Sequence, residues 1–581
     1  MKASTCLSAV SLHIMMPALM MLAGSLQAQA PGSNPPADLL ILNGKVYAAD
    51  GSEGFQQAVA IRGNRILRTG NSADLTKLKG PATVVLDAKG GAVLPGFNDT
   101  HTHLLQGGLA LGNVRLQGAR TIAEIQDRIR SFAKEHPDLP WIEGAGWSYG
   151  AFPDNLPTRA QLDAAVPDRP AVMRCFDAHS VWVNSKALAL AGITKNTPDP
   201  PNGFIVRDPV TGEPSGLLKE TPAMALISRV VPPTSRETQL RGVRAAVAEA
   251  LKYGVTSVTD AAGSPEEFEV YDEARRTGDI KVRVYCSMLV MPGLSTKDAD
   301  RLDQFWKNHP DNPMLKTGII KMFMDGVIET NTAFLLAPYT NIPSAGKPNY
   351  TREDFSRIIG MMDRRGWQIM VHALGDGAVR MTLDGYEQLA ASPMPARGRR
   401  NRIEHIETID LADIPRFGKL GVIAAMHPGG GFFPPNRPVP SGPQGVWAAN
   451  LGPERAARGG MWKSIADAGG RVVFGSDWNV ASLDAMGRIY SITHRAPRPG
   501  GIDQRLKLNA AIDDYTRESA HATFDEKIKG TLAPGMLADI VVLATDVFST
   551  EPARREDLAV SATIFDGKVV YRAAAAAPAD K

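Results

Sequence analysis

Short apolar runs recur along the middle of the chain, and longer segments that carry charged residues in a helical pattern separate them. Buried strands that alternate with amphipathic helices are typical of βα units in a parallel sheet. We count eight such runs, the number that a closed (β/α)8 TIM-type barrel requires. The predicted barrel strands are residues 92–97, 255–259, 281–288, 318–324, 367–371, 402–405, 422–426 and 471–474.

The two ends of the chain show a different pattern, in which short strands are joined by tight turns. Asn43-Gly44 and Gly63-Asn64 lie between apolar runs near the start, and Asp566-Gly567 lies between two runs near the end. Asn-Gly and Asp-Gly in this setting are typical of two-residue hairpins. We expect residues 31–91 and 525–581 to form one small composite β-sandwich, with the barrel at residues 92–524 inserted between them.

The segment between the first two predicted barrel strands is too long for a single crossover. We expect an inserted cap at about residues 112–221. Its proline, glycine and tryptophan content favours irregular structure near a site. A surface excursion without a functional role is the alternative.

The first 30 residues have the pattern of a secretory signal. Lys2 precedes an apolar stretch at 9–23, and Ala28-Gln29-Ala30 follows as a small-x-small cleavage pattern. The apolar stretch is short for a bilayer span of about 20 residues. We therefore expect secretion across the inner membrane, a periplasmic location and no stable membrane insertion.

Composition changes this picture little. The formal net charge is +3 for the whole chain, which gives no argument for a nucleic-acid partner. Cys175 and Cys286 remain after the signal, so one disulfide is an open alternative, but there is no disulfide framework and no CxxC metal site. The sequence also leaves open a homo-oligomer.

The first predicted barrel strand leads into His101-Thr102-His103. In an extended segment, residues two apart point to the same side, so both imidazoles can face one ion. A pair of unrelated surface histidines is the alternative for this short motif alone. Its position at the C-terminal end of a barrel strand, where TIM-barrel enzymes build their sites, favours a metal site.

Further polar residues occur at comparable positions. His372, His405 and His427 follow the fifth, sixth and seventh runs, and Asp477 follows the eighth. Lys321 lies in the otherwise apolar fourth run, where an unpaired lysine is costly. Each histidine alone is more often a core residue, and Lys321 could form a salt bridge to Asp325 or Glu404. Their convergence on one rim of the barrel favours a site.

This order of residues resembles the amidohydrolase superfamily, in which HxH follows strand one, a lysine lies on strand four, histidines follow strands five and six, and an aspartate follows strand eight. Within it the chain is similar to the amidohydrolase 3 branch, with the N-substituted formamide deformylases and YtcJ-type proteins. That similarity rests on residues 176–188, 216–220, 321–326 and 402–407.

The resemblance implies a metal-dependent hydrolase with two Zn2+ ions, although other divalent metals remain open. One ion would be held by His101, His103 and Asp477, and the other by His372 and His405. Carbamylated Lys321 would bridge them. Asp477 would orient the attacking water and pass its proton to the leaving nitrogen.

Other residues are candidates for contact with a small-molecule amide substrate. His179 in the cap and His427 are candidates to polarise the scissile carbonyl or to hold substrate, and Glu220 and Trp182 are candidates to bind substrate. A structural role for His179 or His427 is the alternative. Aromatic residues near the predicted loops suggest an apolar pocket, and core packing explains some of them equally well: Trp147, Tyr149, Phe432, Phe433 and Trp478.

Deaminases and cyclic amide or amidine hydrolases of the same superfamily are the nearest alternatives. The deaminases carry a glutamate three residues after the strand-five histidine, and this chain has Gly375 there. The departure favours hydrolysis of an N-substituted formamide or N-acyl amine. A non-catalytic exported binding protein is a second alternative, although the six family positions are all present.

Overall fold

The structure is a computed structural model, and it describes residues 35–52, 54–177, 179–428, 445–549 and 558–574. The predicted signal at residues 1–30 lies outside the described residues, as do Phe432 and Phe433.

Parallel strands in the middle of the chain form a barrel, as the sequence predicts. Neighbouring strands follow chain order, and each pairing within the barrel is parallel. A parallel bridge between Thr102 and Trp478 joins the last strand to the first. Strands 1 to 8 of the barrel are Phe97–Thr102, Val255–Asp260, Arg283–Cys286 with Met288–Leu289, Leu315–Lys316 with Ile319–Phe323, Gln368–Ala373, Arg402–His405, Ile423–Met426 and Arg471–Phe474.

Helices between these strands cover the outside of the barrel, and their ends follow local sequence signals. Ser264 accepts a hydrogen bond from the Glu267 N–H at the start of one helix, which ends at Gly278 with a left-handed φ of 79°. The helices around the barrel are Leu104–Ala110, Arg236–Lys252, Pro265–Thr277, Thr296–Asn308, Arg352–Arg364, Asp376–Ala390, Ile414–Leu420, Gly445–Leu451, Pro453–Ala457, Trp462–Asp467, Ala485–His494, Leu508–Tyr515 and Arg517–Ala522.

The prediction for the first barrel strand was wrong by several residues. Ala92–Pro95 pairs with Ile540–Leu543 and with Lys45–Val46, so it belongs to the terminal sheet. The barrel strand starts after Gly96, where a Cβ atom would lie 2.3 Å from Thr256 Oγ1. Phe97–Thr102 is buried but mostly polar, so the apolar pattern marks the neighbouring Ala92–Pro95 instead. As a result, His101 lies inside strand 1 rather than after it.

The chain ends form two facing sheets with a shared apolar core. The Gly63-Asn64 and Asp566-Gly567 hairpins are confirmed. The Asn43-Gly44 hairpin is wrong, because the chain crosses there from one sheet to the other. One sheet holds Ala37–Leu42, Ala58–Arg62, Arg65–Gly70 and Lys79–Asp87, beside the helix Ser72–Thr76; the other holds Lys45–Val46, Ala92–Pro95, Ile540–Leu543, Val560–Phe565 and Lys568–Arg572.

The segment between strands 1 and 2 of the barrel folds into a six-stranded sheet with its own helices, so the expectation of irregular structure was wrong. Alternating residues bury one face of this sheet in a separate apolar cluster. The strands are Val114–Arg115, Ile142–Trp147, Ala171–Cys175, Ser180–Val183, Phe204–Arg207 and Pro214–Lys219, and the helices are Ile122–Glu135, Arg159–Asp163, Ser185–Leu190 and Glu220–Ser228.

The two cysteines of the described chain lie in different parts of the fold. Cys175 in the cap and Cys286 in barrel strand 3 are both buried and free, so a disulfide between them was a wrong alternative. Within the described ranges, we find no helix with the length and apolar composition that a membrane span needs.

A buried ion pair fastens the terminal sheets to the barrel. Arg283 in strand 3 donates from Nε and Nη2 to the two carboxylate oxygens of Asp539, at 2.6 and 2.9 Å. Both side chains are 5% exposed. Nη2 also donates to Asp566 in the terminal hairpin.

Replacing Arg283 with methionine should leave the Asp539 carboxylate buried without its partner. Removing one partner of a buried pair costs about 3–5 kcal/mol, so the denaturant midpoint should fall clearly. Arg301→Met, which breaks an exposed pair with Asp298, is the matched control and should leave the midpoint unchanged. An unchanged midpoint in Arg283→Met would contradict a structural role for this pair.

Candidate metal centre

His101, His103 and Asp477 meet where strand 1 and strand 8 of the barrel end. Asp477 Oδ1 lies 3.2 Å from His103 Nε2 and 3.5 Å from His101 Nε2. One ligand atom from each residue lies within 4.8 Å of the others, close enough to surround one ion. The trio expected to hold the first ion is therefore brought together.

A second group of possible ligands shares His101 and adds His405 and His427. Their ligand atoms also lie within 4.8 Å of one another, and the three ring centroids are 4.5 to 4.9 Å apart. His427 follows strand 7, which ends at Met426. We expected His427 to bind substrate, but the structure places it at ligating distance from the other histidines.

His372 and Lys321 line the same space. The His372 ring centroid lies 4.4 Å from that of His405, although His372 is in neither three-residue group found among the described residues. Lys321 is fully buried, and its Nζ lies 3.5 Å from His101 Nε2. All six predicted ligand positions therefore line one space. The first expected set, His101, His103 and Asp477, forms one of the two groups, and the second set stays a prediction.

The two salt-bridge partners suggested for Lys321 are engaged elsewhere. Glu404 accepts from Arg402 Nε at 2.8 Å and contacts His101 Nδ1 at 2.6 Å. Burial lowers the pKa of Lys321 to about 8, although the nearby Glu404 and Asp477 raise it. Asp325 accepts hydrogen bonds from the backbone N–H groups of Phe334, Leu374 and Gly375.

Two of the histidines form a hydrogen bond through the ring nitrogen that points away from the candidate metal centre. This bond fixes which nitrogen faces the centre. His101 Nδ1 is held by Glu404, which leaves Nε2 directed at Asp477. His372 Nε2 contacts the Gly326 carbonyl at 3.2 Å, which leaves Nδ1. Such contacts set the tautomer and orientation of metal-ligating histidines.

The donor set fits a divalent metal ion. Burial lowers the pKa of His101, His372 and His405 well below the usual value. For His101 and His372 the charge of Lys321 is the next cause. These rings are therefore neutral and keep a lone pair. Among the described residues His405 Nε2 is buried without a hydrogen-bond partner. Neutral imidazoles with one carboxylate are typical ligands of zinc.

Asp477 is fixed by its backbone. Its N–H donates to the His101 carbonyl at 2.7 Å, and it adopts a left-handed φ of 56°. Such a conformation is costly for a residue other than glycine and must be held by its surroundings. Arg488 supplies part of that hold, because its Nη2 donates to the Ser476 carbonyl at 2.9 Å.

The cap contributes a charged histidine to the same space. The His179 ring centroid lies 5.6 Å from that of His372, and Nδ1 lies 2.8 Å from Glu220 Oε2. Burial disfavours the charged ring, but Glu220 outweighs this effect and raises the pKa of His179 to about 9. Glu220 Oε1 accepts from Thr330 and Thr332. Glu220 therefore positions His179, whereas we expected it to bind substrate.

Trp182 was a wrong prediction for substrate contact. Its side chain is fully buried, and its indole N–H donates to the Thr158 carbonyl at 2.8 Å. Its ring packs against Phe152 and Trp147 in the cap core. Trp147 and Tyr149 are buried in the same cluster, so this group of aromatic residues is core packing.

The sequence reasoning gave no role to two buried acids near strands 4 and 6. Glu407 accepts from the Trp447 indole at 2.7 Å, and burial raises its pKa to about 8. Burial, with the neighbouring Glu407, also raises the pKa of Glu329 well above its usual value. The only sequence feature that could have pointed to Glu407 is its place in residues 402–407, one of the segments similar to the amidohydrolase 3 branch. No sequence feature pointed to Glu329.

Comparison with known proteins identifies the family to which the chain is similar. The model of the amidohydrolase family matches residues 84–571. The chain is 31% identical to protein LONG AFTER FAR-RED 3 of Arabidopsis thaliana, covering 94% of each chain. It is 31% identical to the protein named as amidohydrolase YtcJ of Bacillus subtilis, with 89% of this chain and 96% of the relative covered.

Two further likenesses bear on function and fold. The N-substituted formamide deformylase of Arthrobacter pascens is 25% identical, with 92% of this chain and 98% of the relative covered. An uncharacterised metal-dependent hydrolase from Pyrococcus furiosus has a solved structure that matches with a TM-score of 0.68 at 23% identity, covering 87% of this chain and 99% of that one.

Replacing Glu404 with glutamine should weaken metal binding while preserving the shape of the side chain. The loss of the carboxylate behind His101 should reduce affinity for the metal about 10- to 100-fold, as for other such partners. Metal content after dialysis against graded chelator measures the change. Glu387→Gln, on the barrel exterior, is the control. Equal metal retention in both variants would contradict the orienting role of Glu404.

Proposed function

The chain belongs to the amidohydrolase family, and from that premise we propose that it hydrolyses an amide-type C–N bond in a small molecule, an N-substituted formamide or an N-acyl amine. The observation that carries the proposal is the charged His179, which the cap holds beside the histidines of the metal centre. The name of the Arthrobacter relative, a deformylase of N-substituted formamides, supports this substrate class.

We propose two Zn2+ ions at the centre. His101, His103 and Asp477 would hold one, and His372 and His405 would hold the other, with carbamylated Lys321 between them. The proximity of His427 to His101 and His405 makes it a further candidate ligand. Metal ions in such sites act as Lewis acids and lower the pKa of coordinated water towards about 7.

The protein's own residues would move the protons. Asp477 would take a proton from the attacking water as the new O–C bond forms, and return it to the nitrogen as the C–N bond breaks. His179, charged through Glu220, would donate a hydrogen bond to the carbonyl oxygen, where negative charge develops. A carboxylate and a free amine would leave.

Related deaminases carry an acid at the position of Gly375, and this position argues against deamination. Gly375 has no room for a side chain, because a Cβ atom there would lie 2.0 Å from the Phe334 carbonyl oxygen. The adjacent Asp376 accepts a hydrogen bond from the Leu336 N–H and so serves the backbone. If the protein were a deaminase, Glu329 or Glu407 would have to be its proton-donating acid.

We also propose that the protein is exported to the periplasm by residues 1–30. The support is the sequence pattern of Lys2, the apolar stretch and Ala28-Gln29-Ala30. N-terminal sequencing of protein recovered from a periplasmic fraction, with a mature start at Pro31, tests this.

A product screen should show formate or another carboxylate together with a free amine, first from substrates with apolar N-substituents. Asp477→Asn should lower kcat by about 10²- to 10⁴-fold, because proton transfer contributes on that order. Folding of the variant is checked by circular dichroism.

Efficient ammonia release from a heterocycle would contradict this reaction class. Loss of that release in Glu329→Gln or Glu407→Gln, with Asp376→Asn as the comparison, would show which acid supports deamination.

The variant Lys321→Ala distinguishes a bridging carbamate from a structural lysine. If Lys321 bridges, Lys321→Ala should bind about one metal ion per chain, and added formate or propionate should partly restore activity. Metal content and thermal midpoint are measured on the same preparation. A variant that keeps its full metal content but melts lower would contradict the bridging role.

A further inference from the structure

A cavity separate from the metal centre lies between the cap sheet and the barrel. Its volume is about 310 Å3, at the lower end of the range for small-molecule pockets. The barrel contributes Leu109 and Asn479, and the cap contributes Glu143, Arg174 and Val181. It is therefore lined by two different parts of the chain.

Arg174 and Glu143 point into this cavity from neighbouring strands. Arg174 pairs in register with Ala145, and Val172 pairs with Glu143, so the two charged residues are diagonal neighbours on one face. Within the part of the chain that the structure describes, neither has a hydrogen bond or a close ion pair, although the two opposite charges attract each other. Burial lowers the pKa of Arg174 and raises that of Glu143.

A desolvated guanidinium whose N–H groups have no acceptor is costly, even with an opposite charge nearby. Apolar side chains line part of the rest of the cavity, among them Leu109, Val181 and Met224, and Gln106, Asn113 and Asn479 add polar groups. A guanidinium beside an apolar patch matches a ligand with one carboxylate and an apolar body. The apolar patch disfavours a second carboxylate at the far end of such a ligand, because that charge would lose its water.

We propose that this cavity binds a small organic monocarboxylate, with its carboxylate on Arg174 and its apolar body against Leu109, Val181 and Met224. The proposal is independent of the reaction assigned to the metal centre. The cavity nevertheless borders elements that carry metal-centre residues, because Asn479 lies two residues after Asp477 and Leu109 lies on the helix that follows His103.

Titration calorimetry of the metal-loaded protein with butanoate, hexanoate and hexanedioate tests the proposal. We expect saturable binding of one hexanoate per chain, weaker binding of butanoate because it buries less apolar surface, and no binding of hexanedioate. Arg174→Gln should weaken hexanoate binding about tenfold or more, as expected for a lost charge-assisted hydrogen bond. Glu143→Gln, which removes the negative charge beside Arg174, should strengthen hexanoate binding.

Carboxylates can also bind metal ions, so His103→Ala is the control for the other site. Hexanoate binding should survive in His103→Ala. Ala145→Phe, which narrows the cavity without removing a charge, should abolish it even if Arg174→Gln folds poorly. The proposal is overturned if hexanoate does not bind, if Arg174→Gln and Ala145→Phe bind it as the parent protein does, or if only His103→Ala loses binding.

Discussion

Asp99 lies in the first strand of the barrel, and its carboxylate accepts backbone hydrogen bonds from that strand and from the segment that follows the last strand. Asp99 Oδ1 receives the N–H of His101 at 3.2 Å and that of Ser476 at 2.8 Å. Thr100 Oγ1 donates to the Phe474 carbonyl in the same seam. Because His101 and Asp477 come from these two strands, the candidate metal centre depends on this closure of the barrel.

The histidines of the site fall into two electrostatic classes, and their surroundings decide which. His101, His372 and His405 are buried beside Lys321, so they stay neutral and can offer lone pairs to a cation. His179 is equally buried, but Glu220 holds it in the charged form. Neighbouring groups whose pKa values are pushed apart often have complementary roles, which supports the proposed division between metal binding and hydrogen-bond donation to substrate.

Much of the fold was predictable because barrel strands are short, apolar and regularly spaced. Seven of the eight predicted runs match barrel strands, the first reaches its strand only at Phe97, and the predicted ligands line one space at the strand ends. The first strand was misplaced because it is buried but mostly polar, whereas the apolar run before Gly96 pairs with the terminal sheet. The cap sheet was missed because glycine and proline obscured its alternating pattern.

Side-chain roles were harder to predict than positions. Trp182 lies on a strand near His179, and its side chain packs into the apolar core of the cap. The sequence does not indicate which face of the cap sheet covers that core. The bond between His179 and Glu220 joins residues far apart in the chain, so Glu220 was taken for a substrate contact. The placement of His427 among the ligands depends on how strands 1, 6 and 7 converge, which the apolar pattern does not encode.

The central claim is that His101, His103 and Asp477 hold a metal ion at the barrel mouth. Anomalous diffraction from crystals of the purified protein, recorded on both sides of the absorption edge of its metal, tests this most directly. The account predicts a peak about 2.0–2.2 Å from a nitrogen of each histidine and an oxygen of Asp477. A fully active protein whose anomalous map has no peak there would contradict it.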